Sequence, residues 1–366
     1  MIFSTERQLL CEAVANLSRV VSLKTAVPVL EGILITAKDG MLELSSYNLE
    51  TGMNKTIPAT VKEEGSIVLS AKYFNSILHS MNGNLIEFVS DDRLMCHLSS
   101  GTAVFDMMGM AAVDYPELPS VAEGTKISID AGFLKEMVRQ TIFAIAPAEG
   151  TRPVLTGIFF EIEEGYLKLV AIDGFRLAIR KEKINVPEDI KFIASGRAVA
   201  DVVKMMADDE EKVEIIIGRR HVQFAFSGYS FISRLIDGEF IDYKKTIPDS
   251  FTQKLTFNTK ELVSLIDRIS LIISDTFTTP IRFIINEEET VFSCATSVGR
   301  ATERANVSLE GKPFEIGLNS KYLLEALRAI DYEKVVFKFN GGNAAVLLEP
   351  EDDDAFTYMI MPMRLR

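Results

Sequence analysis

The feature that most constrains this chain is a helix-opening pattern that occurs three times at a nearly constant interval. The pattern reads Ser70-Ala71-Lys72-Tyr73-Phe74, then Ser195-Gly196-Arg197-Ala198-Val199, then Asn319-Ser320-Lys321-Tyr322-Leu323, at separations of 125 and 124 residues. A second series of helices is predicted to begin near Thr5, Asp130 and Asn258, at almost the same interval. Because solenoid repeats are much shorter, this period predicts three copies of a whole domain.

Each copy shows the same order of predicted elements. In copy one, apolar residues at helical spacing predict a helix over residues 6–21 and a second helix from Ser70, with alternating strand-like runs between and after them. Copies two and three repeat this order, so each is predicted to be an α+β domain of two helices against antiparallel strands. We place the domains at residues 1–122, 123–250 and 251–366.

Composition indicates a globular protein of a reducing compartment. The 366 residues are 47% hydrophobic and 25% charged, without an apolar run of membrane-spanning length, and residues 1–6 lack the pattern of a signal peptide. Three scattered cysteines, Cys11, Cys96 and Cys294, fit buried thiols better than a disulfide framework. We therefore expect a cytoplasmic protein with no membrane partner.

Positive charge recurs at equivalent places in a chain whose net charge is −13. The total charge argues against wrapping nucleic acid, but a cationic patch can exist within an acidic protein. The third residue of each repeated pattern is a cation, and seven residues later stand His79, Lys204 and Arg328. Any one of these cations fits the solvated face of a helix. The repetition favours contact with a phosphate backbone, without reading of sequence.

The residues of common catalytic sites are missing. The three histidines show no metal-ligand spacing, and no phosphate-binding glycine loop or nucleophile elbow occurs. The acidic runs at 208–211 and 352–354 leave a metal-dependent hydrolase as a minor alternative, although such runs are usually solvated loops. We expect no enzyme activity, no catalytic residue, no cofactor and no metal.

One stretch breaks the threefold sameness. Only copy two carries Ala171-Ile172-Asp173-Gly174-Phe175-Arg176-Leu177, whose Asp-Gly pair predicts a tight turn that directs Phe175 and Arg176 outward. The chain ends in Tyr358-Met359-Ile360-Met361-Pro362-Met363-Arg364-Leu365-Arg366, where proline excludes a helix interior. We predict a last strand that continues into an apolar tail.

These motifs resemble those of the bacterial beta sliding clamps, the processivity subunits of replicative DNA polymerases. The match rests on Asp173 to Leu177, on Met361 to Leu365, on the Asp237-Gly238-Glu239-Phe240-Ile241-Asp242-Tyr243 turn, and on the threefold plan over the whole length. The resemblance implies a DNA clamp fold and a head-to-tail homodimer whose six domains form a closed ring. Such a ring encircles duplex DNA and tethers the polymerase without catalysing a reaction.

The resemblance also implies site residues. Positions that match the family's DNA contacts are Lys24, Lys72, Arg152 and Arg197, and the repeated cations add Lys204, Lys321 and Arg328. The family's partner-peptide pocket maps onto Leu155, Ile172, Gly174, Phe175, Arg176, Leu177, Ile241, Thr246, Val346, Ile360, Met361, Pro362 and Met363. The dimer interface is expected to place Phe105 and Met107 of one protomer against Ile272 and Ile273 of the other.

The implied partners are double-stranded DNA, a second copy of the chain, the polymerase catalytic subunit, the clamp loader, translesion polymerases, mismatch repair proteins and ligase. Ile172, Phe175 and Ile241 stand where some relatives carry Thr, His and Pro, so a more apolar pocket is expected. The alternative hypothesis is a three-module scaffold that binds peptides, is not an enzyme and does not contact DNA.

Overall fold

The computed structural model describes residues 1–22, 25–186, 188–207, 209–273 and 279–365. Within them lie the helices α1 (Arg7–Leu17), α2 (Ala71–Ser80), α3 (Ala131–Arg139), α4 (Gly196–Met205), α5 (Thr259–Ser270) and α6 (Ser320–Arg328). Two helices per copy confirm the predicted plan. The first helix ends earlier than predicted, at Leu17, with Ser18 as its C-terminal cap residue.

The strands alternate with these helices along the chain. They are β1 (Ile2–Glu6), β2 (Gly32–Lys38), β3 (Met41–Tyr47), β4 (Thr51–Pro58), β5 (Thr60–Glu63), β6 (Gly65–Ser70), β7 (Leu85–Ser90), β8 (Met95–Ser100), β9 (Ala103–Met108), β10 (Met110–Ala111), β11 (Thr125–Asp130), β12 (Gly157–Glu163), β13 (Tyr166–Ile172), β14 (Arg176–Lys183), β15 (Ile190–Ser195), β16 (Lys212–Ile217), β17 (His221–Phe226), β18 (Tyr229–Arg234), β19 (Gln253–Asn258), β20 (Pro280–Ile285), β21 (Glu289–Ala295), β22 (Arg300–Asn306), β23 (Phe314–Asn319), β24 (Lys334–Phe339), β25 (Val346–Glu349) and β26 (Phe356–Ile360).

The chain divides into two compact units, the first of which comprises Met1–Phe133 and Asp201–Leu235. It holds a five-stranded sheet in the order β5-β1-β7-β8-β9 and a nine-stranded sheet in the order β10-β6-β2-β3-β4-β18-β17-β16-β11. Helices α1 and α2 pack against each other and bury Val14, Phe74 and Leu78, the apolar positions of their helical pattern.

The second unit comprises Leu134–Ala200 and Ile236–Arg366. Its eight-stranded sheet runs β15-β12-β13-β14-β26-β25-β24-β19, and its four-stranded sheet runs β22-β21-β20-β23. Helices α5 and α6 cover a core that includes Leu262, Ile266 and Leu323. Asn258 and Asn319 cap these two helices through their side-chain oxygens, as the sequence pattern favours.

Each long sheet contains strands from two sequence copies. In the second unit, β14 of copy two pairs antiparallel with β26 of copy three, with Arg176 opposite Ile360. This pairing brings the turn at 173–175 and the end of the last strand to the same place in the sheet. The candidate site is therefore built from two segments almost 190 residues apart in sequence.

Candidate functional site

The turn between β13 and β14 has the tight geometry that its Asp-Gly pair predicts. Oδ1 of Asp173 accepts hydrogen bonds from the backbone N–H groups of Phe175 (2.8 Å) and Arg176 (2.9 Å). Gly174 has φ +92°, a left-handed conformation that glycine adopts without steric penalty. The turn leaves the Phe175 side chain 61% exposed, as the sequence predicts.

The prediction that Arg176 also points outward is wrong, since its side chain is only 8% exposed. Its Nε donates to Oδ2 of Asp173 at 2.9 Å, and its guanidinium also forms an ion pair with Glu325 of α6. The guanidinium carbon lies 4.4 Å from the ring centre of Tyr322. Two carboxylates and an aromatic face compensate the loss of water, so burial of this charge is stable.

The chain end is fixed beside this turn by its backbone. After β26 ends, the N–H of Met361 donates to the carbonyl of Phe175 at 2.8 Å, and the N–H of Met363 donates to the carbonyl of Gly317 at 2.8 Å. The Met361 side chain remains 42% exposed. The chain end is thus a strand that runs into an ordered apolar tail, as predicted.

Apolar residues from both segments pack together next to the turn and the tail. Leu155, Ile172, Leu177 and Met359 belong to one buried cluster, and Ile241 packs against it. We call the turn 173–176, the tail 361–363 and this cluster the notch. It combines the exposed side chains of Phe175 and Met361 with a buried apolar cluster next to them in the sheet, an arrangement suited to a short apolar peptide.

The predicted pocket residues differ in accessibility. Gly174, Phe175, Thr246 and Met361 are exposed, whereas Ile241, Pro362 and Met363 are half-buried. The others, Leu155, Ile172, Arg176, Leu177, Val346 and Ile360, are buried, and Val346 and Ile360 belong to the separate core beneath α5 and α6. The peptide-binding role of all thirteen stays a prediction.

A charged cluster around the buried pair Tyr243 and Glu161, which was not expected from the sequence, holds the segment that carries Ile241 and Thr246. The Tyr243 hydroxyl donates to Oε2 of Glu161 at 2.6 Å, and Glu161 is only 3% exposed. The N–H of Tyr243 donates to the Ile241 carbonyl at 2.7 Å, and the Thr246 hydroxyl donates to the Tyr243 carbonyl at 2.7 Å. Tyr243 therefore ties both predicted pocket residues to β12.

Lysines complete this cluster. Nζ of Lys191 lies 3.1 Å from Oε1 of Glu161, and Nζ of Lys244 lies 2.8 Å from Oε2 of Glu163. Burial by itself would raise the pKa of Glu161, but the Tyr243 hydroxyl and the lysines hold that pKa below its ordinary value. Hydrogen bonds from Lys244 and Lys191 lower the pKa of Glu163 to about 2.

The alternation of side chains along a β-strand indicates part of this cluster from the sequence. Glu161 and Glu163 lie on one face of β12, and Lys191 is the direct cross-strand partner of Glu161. Sequence alone does not give the pairing of β12 with β15, nor the return of Tyr243 over the sheet. The cluster could therefore not be found before the fold was known.

The repeated cations occupy equivalent places in three helices. Lys72, Arg197 and Lys321 are each the second residue of their helix, all three side chains are exposed, and the first turns of α2, α4 and α6 carry no acidic residue. A cation at a helix N-terminus opposes the helix dipole by about 0.3–1 kcal/mol. In α6 the Asn319 side chain already accepts from the N–H groups of Lys321 and Tyr322, so the exposed side-chain cation is the group that can attract a phosphate there.

The other predicted DNA-contacting cations differ among themselves. Arg152 and Lys204 are exposed, whereas Arg328 is exposed but forms a 2.6 Å ion pair with Asp267 of α5. Lys24 lies outside the described residues. The structure thus distinguishes Arg328, whose charge is partly neutralised, from Lys321 on the same helix.

Two of the four predicted interface residues lie on an edge strand, and the other two follow helix α5. Phe105 and Met107 are half-buried on β9, which is an edge strand of the five-stranded sheet. Ile272 and Ile273 are half-buried just after α5, and β22 is an edge strand of the four-stranded sheet in the same copy. An open edge offers unpaired backbone groups to another strand.

No cluster of metal-ligating side chains occurs within residues 1–22, 25–186, 188–207, 209–273 and 279–365. In the acidic run at 352–354, Asp353 accepts a hydrogen bond from the Tyr332 hydroxyl and Asp354 pairs with Lys181. Asp208 lies outside the described residues, and Glu211 accepts a 2.5 Å hydrogen bond from the Ser227 hydroxyl. Cys11, Cys96 and Cys294 are buried thiols, and no helix of the described chain is long and apolar enough to cross a membrane.

Three family models match the chain in order. The N-terminal, central and C-terminal domains of the DNA polymerase III beta subunit match residues 1–119, 128–242 and 244–364. The beta sliding clamp of Bacillus subtilis (strain 168) is 30% identical over 377 residues and covers 100% of both chains. That of Staphylococcus aureus (strain COL) is 32% identical over 375 residues, covering 100% of this chain and 99% of its own.

Solved structures of the same kind superpose on the whole chain. The DNA polymerase sliding clamp of Bacillus subtilis gives a TM-score of 0.97 at 29% identity, covering 100% of both chains. The DNA polymerase III beta subunit of Thermotoga maritima gives a TM-score of 0.92 at 27% identity, also covering 100% of both. These findings confirm the resemblance and the clamp fold. The chain belongs to the family of DNA polymerase III beta subunits, the beta sliding clamps, and its role is that of a non-catalytic sliding clamp in DNA replication.

Proposed function

We propose that two copies of this chain close head to tail into a six-domain ring around duplex DNA and tether the replicative polymerase through the notch. The three sequence copies, at residues 1–122, 123–250 and 251–366, would be the domains of each protomer. The observation that carries the proposal is the exposed cation at the second position of α2, α4 and α6. It recurs in every copy, as a sequence-blind phosphate contact within a ring requires.

Weak contacts suit this role. A closed ring stays on DNA through its topology, so the cations need only attract phosphates without holding them tightly. Lys72, Arg197 and Lys321 are exposed single charges with no ion pair among the described residues. With Lys24, Arg152, Lys204 and Arg328 they form the proposed DNA contacts. The net charge of −13 would repel DNA elsewhere on the protein.

The ring closure is supported by the two open edges. We propose that β9 of one protomer meets the β22 side of the next, where Phe105 and Met107 would pack against Ile272 and Ile273. A head-to-tail contact of two different surfaces closes into a ring when the rotation allows. The double variant Phe105→Asp with Ile272→Asp should give monomers in sizing experiments. Leu49→Asp, at an exposed loop position, should leave the dimer intact.

The partner proteins are proposed from the apolar character of the notch. Its exposed phenylalanine and methionine above an apolar base fit short apolar motifs in the polymerase catalytic subunit, the clamp loader, translesion polymerases, mismatch repair proteins and ligase. Methionine side chains adapt to different ligands, so one notch can serve several partners in turn. We place this activity in the cytoplasm, where replication proteins of bacteria work.

Retention on closed and open DNA tests the ring. The wild-type chain, loaded by the clamp loader, should remain on nicked circular plasmid through gel filtration and should leave the same plasmid after linearisation. Lys72→Glu combined with Arg197→Glu should reduce retention on the circle while peptide binding stays unchanged, with Lys312→Glu, a charge reversal at an exposed loop, as the control. Equal loss from circular and linear plasmid would refute the ring. Unchanged retention of the double variant would refute the cation assignment and favour the peptide-binding scaffold.

A further inference from the structure

A second groove lies beside the tail, on copy three. It has a volume of about 810 Å³, within the range of ordinary ligand sites, and three arginines line it: Arg282, Arg300 and Arg364. No aspartate or glutamate is among the described residues that line it. In a chain with net charge −13, such a concentration of positive charge requires an explanation.

The sheet register explains how the arginines converge. Arg282 of β20 pairs with Ser293 of β21, and Ala295 of β21 pairs with Arg300 of β22. Arg282 and Arg300 therefore come from the two strands on either side of β21. Nε of Arg282 donates to Oε2 of Glu315 at 3.0 Å, which fixes this guanidinium. Arg300 and Arg364 are exposed and form no ion pair within the described parts of the chain. Among the described residues, the groove therefore holds two guanidinium groups without an ion pair and one that is partly neutralised.

The tail connects this groove to the notch. Met363 belongs to the notch and also lines the groove, together with Arg364 and Leu365. A Cβ on Gly317 would lie 2.8 Å from the carbonyl oxygen of Met363 and 2.8 Å from Leu365, so this glycine allows the tail to lie against β23. From Met361 to Arg364 is three residues, which span at most about 10 Å. A peptide bound in the notch and continuing along the tail reaches the arginines within a few residues.

We propose that this groove binds acidic residues that flank the apolar motif of partner peptides, an inference that rests on the proposed peptide-binding function of the notch. Guanidinium groups bind carboxylates in a planar, bidentate geometry, which suits glutamate or aspartate side chains. Apolar side chains such as Met363 and Leu365 also line the groove, which suits an extended peptide better than a row of phosphates. The groove thus adds a preference by charge to a notch that selects by apolar shape.

The test compares two matched series of fluorescent peptides, in which every peptide has an apolar core of leucines and phenylalanine. One series carries three glutamates before or after the core, and the other carries three glutamines at the same places. For the wild-type dimer we expect one glutamate peptide to bind about three- to ten-fold more tightly than its glutamine counterpart at low salt, since each exposed ion pair adds only a small contribution. The difference should disappear at high salt.

Variants of the groove arginines show whether the groove causes the preference for glutamate. Arg300→Glu combined with Arg364→Glu should abolish or reverse the preference for glutamate, while affinity for the glutamine peptide changes less than two-fold. Lys312→Glu, a single charge reversal outside the groove, should leave the preference intact. Equal affinity of both peptide series for the wild-type chain would overturn the inference, and so would a preference that survives in the groove variant.

These experiments distinguish a wrong assignment of the groove from a wrong assignment of peptide binding to the notch. If the glutamine peptide itself does not bind the wild-type chain, the notch is not a peptide site and the proposed function fails. If that peptide binds and the glutamates add nothing, only the groove assignment fails. Reduced retention of Arg300→Glu with Arg364→Glu on circular plasmid, with peptide preference unchanged, would make the groove a nucleic-acid contact and also overturn the proposal.

Discussion

The Tyr243 hydroxyl lies 2.6 Å from Oε2 of Glu161, and both residues are almost fully buried. The two residues are 82 positions apart in sequence, and their hydrogen bond fixes the segment that carries Ile241 and Thr246. A buried tyrosine would normally require only a polar partner. Here the partner is a carboxylate whose pKa is lowered by Lys191, Lys244 and Lys168, so the bond is charge-assisted and stronger than a neutral one. We regard Tyr243 as a positioning residue for the notch.

Tyr243→Phe should reduce both stability and peptide affinity. Loss of a hydrogen bond to a buried carboxylate costs about 1.5–3 kcal/mol, and the segment 241–246 loses its tie to β12. We expect the free energy of unfolding in urea to fall by about that amount and the affinity for an apolar peptide to fall several-fold, with the dimer unchanged in sizing. Tyr166→Phe is the control, since the Tyr166 hydroxyl makes no hydrogen bond within the described residues. Equal peptide affinity of Tyr243→Phe and wild type would show that Tyr243 does not position the notch.

Acid should weaken the same cluster. The pKa of Glu163 is about 2 in the folded chain, below its ordinary value of 4.5, so the stabilisation by this carboxylate is complete above about pH 4.5 and is lost as the pH falls toward 2. The pKa values of Lys191 and Lys244 are raised from 10.5, so both stay charged throughout this range. The urea midpoint should fall more steeply below pH 4.5 in wild type than in Glu163→Gln. Glu164→Gln, its exposed neighbour, should follow the wild-type curve, and parallel curves for all three chains would contradict the assignment.

Two cations on α6 should contribute unequally to DNA binding. Arg328 pairs with Asp267 at 2.6 Å, whereas Lys321 has no ion pair in the described chain and stands at the helix N-terminus. Lys321→Gln should therefore weaken binding to a short linear duplex more than Arg328→Gln does. A full phosphate contact contributes about 0.9 to the slope of log K against log salt, so Lys321→Gln should reduce that slope by up to this amount. A larger loss from Arg328→Gln would show that the Asp267 pair does not neutralise it.

The position of the tail against β23 should affect peptide binding but not formation of the dimer. Deletion of residues 361–366 removes the exposed methionine of the notch and should abolish polymerase tethering, while the dimer persists in sizing. Gly317→Ala is a finer change, because its Cβ would lie 2.8 Å from the Met363 carbonyl oxygen and displace the tail. Crowding of this kind costs about 1–3 kcal/mol, so we expect peptide affinity to fall by roughly ten-fold or more with a small change in Tm.

A matched glycine variant controls for this substitution. A Cβ on Gly299 would meet nothing within 4 Å, so Gly299→Ala should bind peptide as wild type does. Loss of the dimer on deletion of the tail would instead mean that the tail is part of the structural core. Unchanged affinity of Gly317→Ala would mean that the tail position does not matter for the notch.

Much of the fold was predictable because its elements are locally encoded. The helix positions in all three copies follow from apolar spacing and from caps such as Asn258 and Asn319, which act within a few residues. The Asp173-Gly174 turn follows from the φ > 0 that glycine permits. The recurrence of a cation after each helix start was visible by superposing the copies, without any coordinates.

The threefold plan, the α+β class of each copy, the exposed Phe175 and the apolar tail follow from the amino-acid sequence, since all of these depend on residues close together in the chain. The burial of Arg176, the bond between Tyr243 and Glu161, and the groove shared by Arg282, Arg300 and Arg364 became visible in the folded chain alone. These features depend on which strands pair and on how helices and loops pack against them. Period-two alternation specifies which face a side chain occupies, but not which distant strand lies beside it. Apolar spacing likewise does not specify that α6 packs beside the turn at 173–176 and buries Arg176.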